Sequence, residues 1–310
     1  MSPGGRLAVI GLGAMGLPIA ARLLEAGFDV VGVDVAEAAR RRFTELGGRV
    51  GASTREVPPD VGAVIVLVVT ADQVRAVLFG EAGLADRLAP GTLVIVSATI
   101  GPRDARDVAA RLSERGLRPL EAPVSGGVKR ARRGDLSIIV AGDPTDVARA
   151  QPVLVPISRE LFDAGPGFGT ACTIKLLNQM LCGVHLAIAA ETMLLAERLG
   201  LDQELLYRVV TQSSGNSHMF ADRVPQMRAP PAATNSAVDV FLKDLRLALE
   251  TGREAGAPTI LTAAAEAVFA GASAAGLGAT NDSRIIGWLR GLQTDAPASA
   301  DEDLAMVQRG

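Results

Sequence analysis

Six residues, "GLGAMG" at positions 11–16, constrain this chain more than any other stretch. Gly11, Gly13 and Gly16 fall in the spacing G-x-G-x-x-G, with Leu12, Ala14 and Met15 between them. The apolar run at 7–10 suits a short buried parallel strand. Residues 14–26 read as a helix with Gly27 just past its end. "DVVGVD" then reads as a second strand ending at Asp34. Strand, tight turn, helix and strand in this order make the first unit of a doubly wound sheet. The glycines let a pyrophosphate approach the helix N-terminus, where amide groups and the dipole favour anions. Asp34 follows about 20 residues on, where a carboxylate accepts hydrogen bonds from a ribose diol. The succession points to dinucleotide binding. The alternative is a glycine-rich turn with no ligand. Asp34 would repel a 2′-phosphate and so favours NAD. Arg40, Arg41 and Arg42 leave NADP open, unless they form a solvated helix face.

The alternation continues. "AVIVLVV" (63–69) and "TLVIVSA" (92–98) are buried-strand runs, and 104–115 is helical between Pro102 and Gly116. "LRPLEAP" and "LSIIVAG" give further strands, so a Rossmann-type α/β domain is expected over 1–168, with its doubly wound sheet running to about residue 165. Thr70 and Thr99 follow strand C-terminal ends, the side where such sheets bind ligands. Each is either a cofactor contact or a helix cap.

Composition sets limits. A 310-residue chain with 48% apolar residues and a net charge of −3 is a globular protein of about two domains. It has no basic footprint and few aromatics, so nucleic acid is not an expected partner. Cys172 and Cys182 suggest neither a disulfide framework nor a metal site, and a reducing cytoplasm fits them. No signal sequence opens the chain, and polar residues interrupt its most apolar helix, so no membrane span is expected. Of 31 Lys plus Arg, only Lys129, Lys175 and Lys243 are lysines. Arginine fills the generic cationic positions. The remaining lysines are therefore enriched where arginine cannot serve, because only lysine loses its proton readily when buried.

Two stretches stand out by this measure. In "EAPVSGGVKRARRGDL", Ser125, Gly126 and Gly127 open a short helix with unhindered amides and a hydroxyl, a receptor for a carboxylate. Lys129, Arg130, Arg132 and Arg133 add charge there. A capped helix with solvated arginines is the alternative. In "GPGFGTACTIKLLNQM", glycines at 165, 167 and 169 mark the entry to a long helix and a domain boundary. Lys175, Asn178 and Gln179 then stand at i, i+3 and i+4 on one helical face. Burial lowers a lysine's pKa and suits it to exchange a proton with a substrate hydroxyl, which Asn178 could orient. Snorkelling to solvent is the ordinary alternative.

From residue 169 onward only helices are expected, in an all-helical substrate and dimerisation domain over 169–292, with a flexible tail at 293–310. The first helix, about 30 residues or roughly 45 Å long, is apolar nearly all round, which implies burial against a partner chain. Further helices are expected near 202–213, 236–256, 258–276 and 282–291. Lys243-Asp244 lies in the second of these, as a surface pair or a site element. "SSGNSHMF" (213–220) breaks the pattern, and its Asn216, Ser217 and His218 either bind polyol hydroxyls or form a capped turn.

Four blocks in order, "GLGAMG", "APVSGG", "GTACTIKLLNQ" and "FLKDLRLAL", resemble the β-hydroxyacid dehydrogenase family, relatives of 6-phosphogluconate and 3-hydroxyisobutyrate dehydrogenases. They span most of residues 6–290. Further likeness, to members acting on a small sugar acid, runs through "SSGNSHMF" and "SAVDVFLKDL". The resemblance implies that Lys175 is the acid/base and Asn178 its neighbour. It implies a substrate carboxylate on Ser125, Gly126 and Gly127, with Gln179 and Asn216 as further substrate contacts. Lys243 and Asp244 would close over the nicotinamide. A homodimer or homotetramer through the helical domain is expected. Two departures concern substrate preference. The usual G-x-G before the lysine reads Gly169-Thr170-Ala171, and the usual Ser-Thr reads Ala98-Thr99. The implied activity is NAD-dependent oxidation of a small hydroxy acid. Its rivals are an NADP-dependent reductase of an oxo acid, semialdehyde or imine, and a non-catalytic cofactor-bound scaffold.

Overall fold

The computed structural model describes residues 4–230 and 236–292. The tail expected at 293–310 lies outside them. Six parallel strands form the main sheet in the order β3 (Arg49–Gly51), β2 (Asp29–Val33), β1 (Arg6–Ile10), β4 (Ala63–Val66), β5 (Leu93–Val96) and β6 (Arg118–Glu121). The order reverses between β1 and β4, and the register aligns Ile10 with both Val33 and Val66. The strand C-terminal ends therefore open a crevice at that point, where such folds bind ligands. Helices α1 (Gly16–Glu25), α2 (Glu37–Glu45), α3 (Ala71–Phe79) and α4 (Pro102–Ser113) cover the two faces. Alternate strand residues feed separate cores. Leu7, Val9, Ile65 and Ile95 pack with Ile19 and Leu23 of α1 on one side. Ala8, Val64 and Val94 pack with Leu78 of α3 and Leu112 of α4 on the other. Burial on both faces is why these strands read as unbroken apolar runs.

The sheet does not continue past β6 as one layer. Pro123 carries no N–H for a central ladder, and the chain turns there. A second sheet follows, β7 (Val124–Ser125), β8 (Leu136–Val140) and β9 (Ser158–Asp163), with β7 antiparallel and β9 parallel to β8. One bridge between Glu121 and Ala141 joins it to the main sheet. Helices α5 (Gly127–Arg132) and α6 (Pro144–Leu154) connect its strands.

From residue 169 the described residues are organised by helices: α7 (Thr170–Arg198), α8 (Gln203–Thr211), α9 (His218–Arg228), α10 (Val238–Glu254), α11 (Ile260–Ala272) and α12 (Ile285–Gly291). The sequence pattern missed α9, because Pro225 stands inside it. Proline removes the bond to the carbonyl four residues earlier. That carbonyl, on Ala221, instead accepts from the Tyr207 hydroxyl at 2.9 Å. By length and composition α7 and the 260–277 segment could cross a membrane. Here α7 is the spine of a folded core. Leu186, Ala190 and Met193 pack with Phe220 and Val224 of α9, Phe241 and Leu245 of α10, and Phe269 of α11. Its first turn belongs to the sheet domain instead: Cys172 joins the second sheet core, and Ala171 packs on Ile139 and Ala141.

Candidate active site

The glycine loop has the shape a pyrophosphate needs. A Cβ on Gly16 would stand 1.8 Å from the Gly11 carbonyl oxygen, so α1 begins as close to the loop as backbone allows. Gly11 itself has φ +97°, and a Cβ there would meet the Leu67 carbonyl at 2.8 Å. Above Gly13 there is open space. Leu12 is buried, Met15 packs partly on the core, and Ala14 is exposed beside Gly13. Asp34 fastens this loop to the end of β2. Its Oδ2 accepts from the Leu12 N–H at 2.7 Å and its Oδ1 from the Ala36 N–H at 2.8 Å. Each oxygen keeps a second lone pair for a ribose hydroxyl. Arg40 folds back to donate to the carbonyls of Asp34 and Val35. Arg41 and Arg42 are exposed.

Two of the three lysines meet where α7 and α10 cross, and the third, Lys129, is exposed. Lys175, Gln179 and Asp244 are buried at 6%, 8% and 2% exposure. Lys175 Nζ donates to Gln179 Oε1 at 2.9 Å, and Gln179 Nε2 donates to Asp244 Oδ2 at 2.7 Å. Lys243 Nζ lies 2.8 Å from Asp244 Oδ1 and donates to the Thr99 carbonyl at 2.6 Å, at the end of β5. A continuous polar chain thus runs from α7 through α10 to the main sheet. Asn178, expected beside the lysine, instead donates to Gln179 Oε1 at 3.2 Å and to Cys182 Sγ at 3.5 Å. Burial pulls the Lys175 amine below the ordinary lysine value; the Asp244 carboxylate opposes this and does not cancel it. This environment favours the neutral amine more than water does.

Ser125 pairs with Ser137 at the edge of the second sheet. Gly126 and Gly127 have φ +134° and +68°, a turn that favours glycine. Arg130 lies against Gly126 and donates to the Asp135 carbonyl at 2.7 Å. The site element that sequence reasoning passed over is Glu121. Its buried carboxylate accepts from the N–H groups of Gly169 and Cys172, and so caps the start of α7 from the end of β6. Burial pushes this carboxyl above the usual range, partly countered by those amides. The signal was present as one acid closing the apolar strand "PLE".

Two of the candidate contacts have local hydrogen-bond partners. Thr70 caps α3, its hydroxyl accepting from the Gln73 N–H. Asn216 is exposed, and its amide donates to the Thr211 carbonyl in the turn after α8. Ser217 caps α9.

Comparison with known proteins follows the same outline. Residues 6–165 match the family profile described as the NAD binding domain of 6-phosphogluconate dehydrogenase. Residues 169–289 match that described as the NAD-binding domain of NADP-dependent 3-hydroxyisobutyrate dehydrogenase. L-threonate dehydrogenase of Cupriavidus necator is 42% identical over 94% of this chain and 98% of its own. A crystal structure described as 3-hydroxyisobutyrate dehydrogenase from Salmonella typhimurium superposes with a TM-score of 0.85 at 38% identity, covering 91% of this chain and 99% of that one. 3-Hydroxyisobutyrate dehydrogenase of Mycobacterium tuberculosis with L-serine gives a TM-score of 0.78 at 32% identity, covering 93% and 99%.

Proposed function

Because this chain belongs to the β-hydroxyacid dehydrogenase family, an NAD(P)-dependent oxidoreductase group, we propose that it oxidises L-threonate to the oxo acid with NAD. The observation that carries the reading is the buried Lys175 amine, held by Gln179 and linked through Asp244 and Lys243 to the sheet's ligand-binding edge. Neutral Lys175 takes the substrate hydroxyl proton. Bound nicotinamide supplies the acceptor for the hydride leaving the same carbon. As an ammonium, Lys175 then steadies the negative charge developing on the oxygen. Amides at Ser125, Gly126 and Gly127 receive the carboxylate, and Asn178 orients the hydroxyl. Arg130 adds positive charge beside that turn.

NAD is favoured by Asp34, whose carboxylate is held beside the glycine loop by the Leu12 N–H and would repel a 2′-phosphate. We place the division between coenzyme unit and helical unit at 168/169, with the first turn of α7 rooted in the former. The subunits pair through the helical unit. Ile174, Leu177, Leu181, Ile188 and Leu195 form an exposed apolar stripe on α7, with Leu205 and Val209 of α8 also exposed. A cytoplasmic location fits the free cysteines.

The test is NADH formation from L-threonate, other four-carbon aldonates and 3-hydroxyisobutyrate, with each coenzyme in both directions. L-threonate with NAD is expected to give the highest kcat/KM. Preference for an imine or semialdehyde with NADPH would overturn the reading.

A further inference from the structure

Gln179 accepts from Lys175 through Oε1 and donates to Asp244 through Nε2. An amide can lie either way round in a side-chain slot, and its two ends differ completely in what they offer a neighbour. Here the choice is not free. Asp244 as a carboxylate only accepts, so the NH2 end must face it. The oxygen is thereby aimed at Lys175. The consequence concerns the amine's lone pair. A neutral amine beside an acceptor spends an N–H on the contact and keeps its lone pair for the substrate. Beside a donor it would spend the lone pair. Asn178 supports the same orientation, since its Nδ2 also donates to Gln179 Oε1.

We propose that Asp244 is a positioning residue that acts through Gln179, fixing the amide's direction so that the Lys175 lone pair stays free for the substrate proton. This rests on Lys175 being the proton acceptor. Lys243 completes the device from the other side. Its ammonium faces Asp244 Oδ1, and demands an oxygen there whatever residue supplies it. In Asp244→Asn the oxygen of the new amide therefore stays with Lys243, and its NH2 turns to Gln179. Gln179 must then reverse and present NH2 to Lys175. The reversal passes through a single intervening side chain, Gln179. The charged and titratable groups around the amine are Lys243 and Asp244 of α10 and Cys182 of α7, with Arg223 of α9 beyond Cys182.

A reciprocal exchange tests this. In Asp244→Asn with Gln179→Glu, the new amide donates to the new carboxylate, an acceptor again faces Lys175, and the local charge is unchanged. Wild type, D244N, Q179E and the double variant are compared by kcat for L-threonate oxidation across pH, with NAD affinity measured separately. D244N is expected to lose about a hundredfold or more in kcat, the scale of a general base. Its acidic limb should move to lower pH, since ammonium loses both an acceptor and a nearby anion. The double variant should recover to within about tenfold of wild type, with its acidic limb moved to higher pH by the adjacent carboxylate. A D244N enzyme with wild-type kcat, or a double variant no better than Q179E, overturns the proposal. If D244N does not fold, the comparison of Q179E with the double variant decides. A double variant that does not fold also overturns it, because the exchanged bonds are held to be equivalent. Wild-type enzyme that is inactive on every hydroxy acid, or that keeps its rate without Lys175, contradicts the functional reading instead.

Discussion

Gly183→Ala tests how tightly the α7–α10 crossing sets the site. Gly183 lies one turn beyond Gln179 on the buried face of α7. A Cβ there would stand 2.7, 3.0 and 3.2 Å from Cδ2, Cδ1 and Cγ of Leu245. The overlap involves the whole branched end of a side chain with 0% exposure, so a simple rotation does not relieve it. Ordinary contact begins at 3.4 Å, so α10 must recede by about 0.7 Å. Asp244 precedes Leu245, and its 2.7 Å bond from Gln179 would stretch to about 3.4 Å, near the limit of a hydrogen bond. Overpacking costs about 1–3 kcal/mol, and the helix-propensity gain of alanine over glycine returns about 1 kcal/mol. The net loss in urea unfolding is therefore modest, about 0–2 kcal/mol. The larger effect is expected in kcat, about tenfold lower or more, with the KM for NAD unchanged. Gly287→Ala in α12 is the control. Its Cβ would meet nothing, and it should gain stability with kcat intact. If the two variants behave alike, the close approach of α7 and α10 does not hold the Gln179–Asp244 bond.

Two further outcomes follow from buried charges. Lys175→Met should raise stability by about 1–2 kcal/mol at neutral pH, because it removes an amine whose protonation burial opposes in the folded chain but not in the unfolded one. Lys175 has a folded pKa below its ordinary 10.5, so its cost is full below that folded value and fades as pH rises toward 10.5. The gain in Tm should shrink over that window, and a gain that grows with pH would show the sign to be wrong. Glu121→Ala should cost about 1–3 kcal/mol, because it leaves the buried N–H groups of Gly169 and Cys172 without their acceptor. An unchanged urea midpoint would mean that α7 does not depend on this cap.

The parts of the site that sequence makes legible are those with a local rule. The glycine spacing and Asp34 depend on contacts within one βαβ unit, and their pattern is visible in about 30 residues. Lys175 stands out because a lone charge in an apolar helix is rare in a chain nearly without lysine. What stayed hidden depends on tertiary placement. Positions i+3 and i+4 share a face with Lys175, so periodicity alone does not separate Asn178 from Gln179; the crossing of α10 does, by bringing Asp244 to Gln179. Glu121 and the α7 terminus are 48 residues apart, beyond any periodic signal. Helix α9 was masked by Pro225, whose orphaned partner carbonyl is served by a tyrosine 14 residues upstream. Strand β9 was obscured because "SRELFD" is a mostly exposed edge with no apolar run.

The most direct measurement is a single turnover of Lys175→Ala with saturating NAD and L-threonate, followed by NADH absorbance and paired with a fluorescence titration of NADH binding. The hydride step is expected to slow by about a thousandfold or more, on the scale of a lost general base, while coenzyme affinity stays within about twofold of wild type. A variant that forms NADH at the wild-type rate would contradict the role given to Lys175 and, with it, the mechanism.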